Sequence, residues 1–175
     1  SSDIIMKNNS KIVISNTNTL EAGFACLAVG DIIIQNSTFD GASGATVLGT
    51  NGKLVIDNSS VEAESTKGAC IEVKENLDII NSSKVNARGL LSGIVVSGNS
   101  FDKSNILIKD SRVLSHGSNA IINNNGDINI EGELTYVYGR NQSSDIERAD
   151  FAETCYGIAA LNGDINISGA QVGAR

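Results

Sequence analysis

The chain has 175 residues, 41% of them apolar, with 18 glycines, no proline, no tryptophan and 4% aromatics. Its 13 Lys and Arg face 20 Asp and Glu, for a net charge of −7. Nucleic acid is excluded as a partner on that balance, since affinity for it comes from neutralising phosphates with basic side chains. No apolar run has the length of a membrane span. The apolar fraction is enough to build a core, which sets the chain apart from a disordered tail.

In chain order, Ile4-Ile5-Met6 comes first and reads as the closing strand of a preceding coil. A recurring pattern follows, apolar-x-apolar-x-Asn/Asp-Ser. Its copies are Ile12–Ile14, Ile32–Ile34, Leu54–Ile56, Leu77–Ile79 and Ile106–Ile108, with diverged versions at Ile128–Ile130 and Ile165–Ile167. Their first residues lie 20, 22, 23, 29, 22 and 37 positions apart, so the unit is close to 22 residues with insertions. Each unit holds three short stretches of alternating apolar residues, as in Leu54–Ile56, Val61–Ala63 and Ala69–Val73. Alternation marks half-buried strands, and the Gly, Asn and Ser between them mark turns. Three such strands cannot bury a face alone, but stacked units close three sheets around one interior. The expected fold is therefore all-β, a single-stranded right-handed parallel β-helix over residues 1–175, with three short parallel sheets and about six coils.

Three inward columns are expected. The repeated motif lines the first sheet, starting from Ile12/Ile14. Leu20, Phe39, Val61, Val85, Val113, Thr135 and Val172 line the second. Ala25/Leu27, Ala45/Val47, Ala69/Ile71, Gly93/Val95, Ala120/Ile122 and Gly157/Ala159 line the third. Asn16, Asn36, Asn58, Asn81, Asp110, Gly132 and Gly169 recur at one bend, where Asn, Asp and Gly tolerate the left-handed backbone. Stacked amides there can also bond from coil to coil.

In these features the chain resembles the pectate-lyase-like right-handed β-helix family, whose asparagine ladder follows the second strand of each coil. The resemblance lies in repeat architecture and carries no catalytic signature. It implies that strands of the Ala69–Val73 type form the sheet where the family's lyases keep their groove. The outward residues expected there are Cys26/Ala28, Thr46/Leu48, Cys70/Glu72, Ile94/Val96, Ile121/Asn123 and Ile158/Ala160. Abstracting a proton beside a uronate carboxyl needs a base, with cations or metal to hold the developing charge. Glu72 alone carries charge on that face, which argues against such a lyase. The same column predicts an exposed apolar stripe, Ile94, Ile121 and Ile158, as a protein contact surface.

Insertions on a rigid scaffold tend to carry function. One spans 97–104 and a longer one 138–156. The second contains Arg140, Asn141, Asp145, Glu147 and Asp150 and is flanked by Tyr136, Tyr138 and Tyr156, all three tyrosines of the protein. Aromatic faces can stack on sugar rings while amides, carboxylates and Arg take the hydroxyls. Glu21, Asp40 and Glu62 are expected to stack outward on adjacent coils, where Ca²⁺ could bridge their oxygens. Cys26, Cys70 and Cys155 lack metal spacing and read as packing residues, and His116 reads as part of a turn.

The expectation is a non-catalytic, secreted or cell-surface module, adhesin-like, that binds polysaccharide or a surface glycan through the 138–156 insertion. One alternative is a polysaccharide lyase or glycoside hydrolase with its site under that insertion, since a hydrolase needs two carboxylates about 5–10 Å apart. The other is a structural spacer of a longer surface protein. Solenoids need polar caps, and Val172–Arg175 stops inside a coil, which suits a fragment.

Overall fold

The computed structural model describes residues 2–15, 25–98, 102–141 and 156–174. Among the described residues, twenty short strands form three sheets of seven, seven and six strands, every neighbouring pair parallel, in a right-handed β-helix. The first sheet stacks Ile4–Met6, Ile32–Gln35, Leu54–Asp57, Leu77–Ile80, Ile106–Lys109, Ile128–Glu131 and Ile165–Ser168. The second stacks Lys11–Ser15, Thr38–Ser43, Ser60–Ser65, Lys84–Gly89, Arg112–Gly117, Tyr136–Asn141 and Gln171–Ala174. The third stacks Cys26–Ala28, Leu48–Thr50, Ala69–Val73, Ser92–Val96, Asn119–Asn123 and Ile158–Ala160. Six coils are complete and two strands begin a seventh. Among the described residues no helix is long and apolar enough to cross a membrane.

The first coil differs from its expected assignment. Ile4 and Met6 pair with Ile32 and Ile34, so Ile4–Met6 is a first-sheet strand and not the closing strand of a coil. Ile12 and Ile14 pair with Phe39 and Gly41, which puts them in the second sheet. Ile12–Ile14 resembles a first-sheet segment in sequence because both read apolar-x-apolar shortly before an Asn. Leu20 lies outside the described residues. Farther on, Val137 pairs with Val113 and occupies the second-sheet position expected for Thr135. Thr135 sits just before the strand, its hydroxyl donating to the Glu131 carbonyl.

The third sheet is correct in existence and wrong in register. Leu48 pairs with Ile71, Ile94 with Ile71 and Ile121, and Ile121 with Ile158. Ile94 and Ile121 are fully buried, and Ile158 packs against the same core. The expected exposed stripe of Ile94, Ile121 and Ile158 is thus the interior wall. Leu27, Val95, Ile122 and Ala159, expected inside, share the outward column, where Ile122 and Ala159 are nonetheless buried. Because side chains alternate with period two, a slip of one residue moves a whole column to the other face. The slip arises at the corner, where two consecutive residues, Cys70 and Ile71, are both fully buried. Cys26 and Cys70 consequently occupy different columns, and burial pushes the Cys70 thiol up to about 12. Cys155 lies outside the described residues.

Side chains tie the coils together at both ends of the first sheet. After it, Asn36, Asn58, Asn81 and Asp110 have φ of 49, 44, 55 and 47°, and Gly132 and Gly169 continue the column at 96 and 69°. Asn8, at 59°, opens it; Asn16 lies outside the described residues. Asn58 donates to Asn36 at 2.7 Å, while Asn81 and Gln35 both donate to Asp57 at 2.8 Å. Behind the bend runs a buried serine ladder. The N–H groups of Ser37, Ser59 and Ser83 donate to Oγ of Ser59, Ser83 and Ser111 in turn, at 3.1 to 3.2 Å. Before the first sheet a second ladder runs through the side chains of Asp3, Asp31, Asn76, Asn105 and Asp127. Each accepts the N–H of the corresponding residue one coil on, at 2.7 to 3.0 Å.

The serine ladder makes a clear demand on stability. Ser83→Ala leaves the buried Ser59 N–H without its acceptor, and such a loss costs about 1–3 kcal/mol. Urea unfolding of the variant is expected to show that loss.

The outward side of the first sheet carries Ile33, Val55 and Leu107, half-buried, with Asp78 in register between Val55 and Leu107. Burial raises the Asp78 pKa, and the nearby Lys53 partly offsets it. A carboxyl with a raised folded pKa disfavours the folded state once ionised, and the penalty fades as pH falls through that pKa toward the unfolded 3.8. Asp78→Asn is therefore expected to raise Tm at pH 7 and to leave it unchanged near pH 3, as measured by thermal melts.

Candidate functional site

The chemistry-bearing residues converge on the outward face of the second sheet. Its strands expose every other residue, which stack into three columns by register. The first runs Lys11, Thr38, Ser60, Lys84, Arg112, Tyr136, Gln171. The second runs Val13, Asp40, Glu62, Asn86, Leu114, Tyr138, Gly173. The third runs Ala42, Glu64, Arg88, His116, Arg140. Neighbouring rungs are ~4.8 Å apart.

Tyr136 and Tyr138 stand side by side on one strand, separated by the buried Val137. The Arg112 guanidinium lies 5.5 Å from the centre of the Tyr136 ring. Tyr138 lies against Gly173, where an added Cβ would come within 2.9 Å of the ring, so the bare glycine leaves room for it. Arg140 extends from the same strand beside His116. His116 is in the strand Arg112–Gly117 and not in a turn. Burial, and then the adjacent Arg88 and Arg140, lower its pKa and favour the neutral imidazole.

Tyr138, Arg140 and Asn141 therefore belong to the sheet, and the longer insertion begins after Asn141. Asn141 pairs with Gly117, and its side chain lies outside the described residues. Asp145, Glu147 and Asp150 also lie outside them. Tyr156, 37% exposed, stands at the third sheet: its N–H donates to Asn119 Oδ1 at 3.2 Å and its carbonyl accepts from Ala120 N. The structure thus brings together Tyr136, Tyr138 and Arg140, and places Tyr156 on a different sheet.

The acidic column survives in part. Asp40 and Glu62 are in register, and Asn86 donates to Glu62 Oε2 at 2.8 Å. Val13 occupies the position before Asp40 expected for Glu21, which lies outside the described residues. Asp40, Glu62, Glu64, Asn86 and Arg88 line a shallow groove of ≈ 270 Å³. A second groove of ≈ 510 Å³ follows the asparagine bend, lined by hydroxyls and amides with Lys11 and Lys84. No three His, Cys, Asp or Glu among the described residues come together as a metal cage.

On the third sheet, Glu72 faces out between Gly49 and Val95. The outward column there is Leu27, Gly49, Glu72, Val95, Ile122 and Ala159, so the face still holds one charge. The family resemblance points to this sheet, whereas Lys84, Arg88 and Arg112, which no local motif marks, stand on the second with His116. Their period-two spacing within the strands was legible; stacking them required the correct coil-to-coil offsets.

No protein-family model, curated protein or solved structure matches the chain.

Proposed function

We propose that this β-helix is a non-catalytic module that binds carbohydrate on the outward face of its second sheet. The observation that carries the proposal is the pair Tyr136 and Tyr138 on one rigid strand, framed by Arg112, Arg140 and His116. Two aromatic faces at fixed spacing suit the apolar sides of sugar rings, and the charged and amide groups around them suit hydroxyls. A rigid sheet holds such groups in place before the ligand arrives, which lowers the entropy cost of binding. Extracellular or surface location and kinship with the pectate-lyase-like β-helices belong to the same proposal, supported by the solenoid and its bend amides.

The test is retention of the purified chain on immobilised plant, microbial and host polysaccharides. Retention on at least one, weakened roughly 10-fold or more (about 1.4 kcal/mol) by Tyr136→Ala/Tyr138→Ala, is expected. Retention indifferent to the double variant removes the site from this face, and no retention on any glycan leaves the spacer reading in its place.

A hydrolase is the second reading, favoured by Asp40 and Glu62 on adjacent rungs of one groove. It predicts release of reducing ends from a bound glycan, lost in Glu62→Gln.

A further inference from the structure

We infer that the second-sheet face takes an anionic sugar polymer, carboxylated or sulfated, on the cationic half formed by Lys84, Arg88, Arg112 and Arg140. The inference rests on the glycan reading above and narrows its ligand class. Charge on this face is segregated by coil. The strands Thr38–Ser43 and Ser60–Ser65 turn Asp40, Glu62 and Glu64 outward and no cation. The next three strands turn out Lys84 and Arg88, then Arg112 and His116, then Arg140 with both tyrosines, and no carboxylate. Lys84, Arg88, Arg112 and Arg140 are all exposed. The ion pairs among the described residues are Lys53–Asp31 and Lys109–Glu131, so none of these four is in direct ion-pair contact with a described carboxylate, and Glu64, one rung from Arg88, marks the boundary of the cationic half.

A patch of four cations is unexpected on a chain of net charge −7. Each Arg presents a planar fork of donors that fits a carboxylate or sulfate. Arg88 and Arg140 are two rungs apart, ~10 Å, and His116 between them favours its neutral form. A pyranose ring in an extended chain is about as long as one rung, so a polymer lying along this column brings anionic groups on alternate sugars to Arg88 and Arg140 and sets the ring at the Arg140 rung beside Tyr138 on the same strand. The carboxylates at the other end of the face repel the same polymer and confine it to the cationic coils.

The test measures binding of the intact chain to soluble dextran, carboxymethyl dextran, dextran sulfate and inorganic polyphosphate, probes that separate backbone from charge. Arg88→Gln/Arg140→Gln is compared with Lys74→Gln/Lys103→Gln, which removes equal charge away from the face. Thermal melts check folding, and light scattering checks mass. Binding to one or both charged dextrans, at least tenfold weaker in the arginine variant and unchanged in the lysine variant, is expected; the tighter of the two identifies the anionic group. Neutral dextran bound as tightly as the charged forms overturns the inference and leaves the glycan reading standing. Equal losses in both variants overturn it, since the chain's general charge then suffices. Polyphosphate bound as tightly as dextran sulfate overturns both, because the sugar then contributes nothing. A fall in mass with the arginine variant also overturns it, assigning the cations to self-association.

Discussion

Ile121→Ala is expected to destabilise the chain by about 2–5 kcal/mol, the usual cost of emptying a large apolar side chain from a packed core. Its neighbour in sequence provides the control. Ile122→Ala is expected to cost less than Ile121→Ala, because Ile122, although only 9% exposed, stands in the outward column of the sheet. The difference follows from which way each side chain points. Ile121 stacks between Ile94 and Ile158 inside the solenoid, where every neighbour is a side chain of the same core. Ile122 lies outside that core. Urea unfolding of the two variants reads the register directly, since a slip of one residue would exchange the two results. Ile94→Ala and Val95→Ala form a second pair with the same ordering.

Gly89→Ala is expected to cost about 3 kcal/mol, at the upper end of the range for overpacking. A Cβ at Gly89 would fall 1.9 Å from the Ser92 carbonyl oxygen and 3.0 Å from the Cys70 nitrogen, and neither is a side chain that can swing aside. The reason lies in the length of the corner between the second and third sheets. After Ser43 and Ser65 the corner is 44–47 and 66–68, and the serine hydroxyls accept N–H groups of Ala45 and Gly68 within it. After Gly89 and Gly117 it shrinks to 90–91 and to Ser118 alone. The tighter corner draws the next strand over the position, leaving no space for a side chain. Thermal or urea unfolding should therefore rank Gly89→Ala well below Ser65→Ala, whose corner has room for the substitution.

These two expectations show where the sequence was informative. The alternating Ile and Leu of the first sheet, followed by an Asn, Asp or Gly that takes positive φ, were enough to establish a three-sheet solenoid and to place six of the seven bend residues. Those signals are local, and repetition amplifies them. The register of the third sheet depended on corners that vary from one residue to four, and nothing within a strand such as Ser92–Val96 reveals that variation. Alignment on small residues, Gly93 with Ala69, seemed natural from the sequence, yet Ser92 is the partner of Ala69. The serine and Asx ladders had a visible signal, a Ser or Asx at a fixed offset from each first-sheet strand, whose meaning emerged once the coils were stacked.

The binding face was half legible. Tyr136, Tyr138 and Arg140 stood out as a local cluster of aromatic and polar groups. Arg88, Arg112 and His116 join them through register, across 20 residues or more of intervening chain, and a linear reading assigned His116 to a turn.

The three tyrosines and the absence of tryptophan make fluorotyrosine NMR the most direct test of the central claim. The labelled chain has three ring resonances, assignable by single Tyr→Phe variants. Each polysaccharide in the panel is added in turn. If the second sheet binds glycan, at least one polysaccharide shifts the Tyr136 and Tyr138 signals together. A glycan that binds without moving either signal, or a panel that moves none, would contradict the claim.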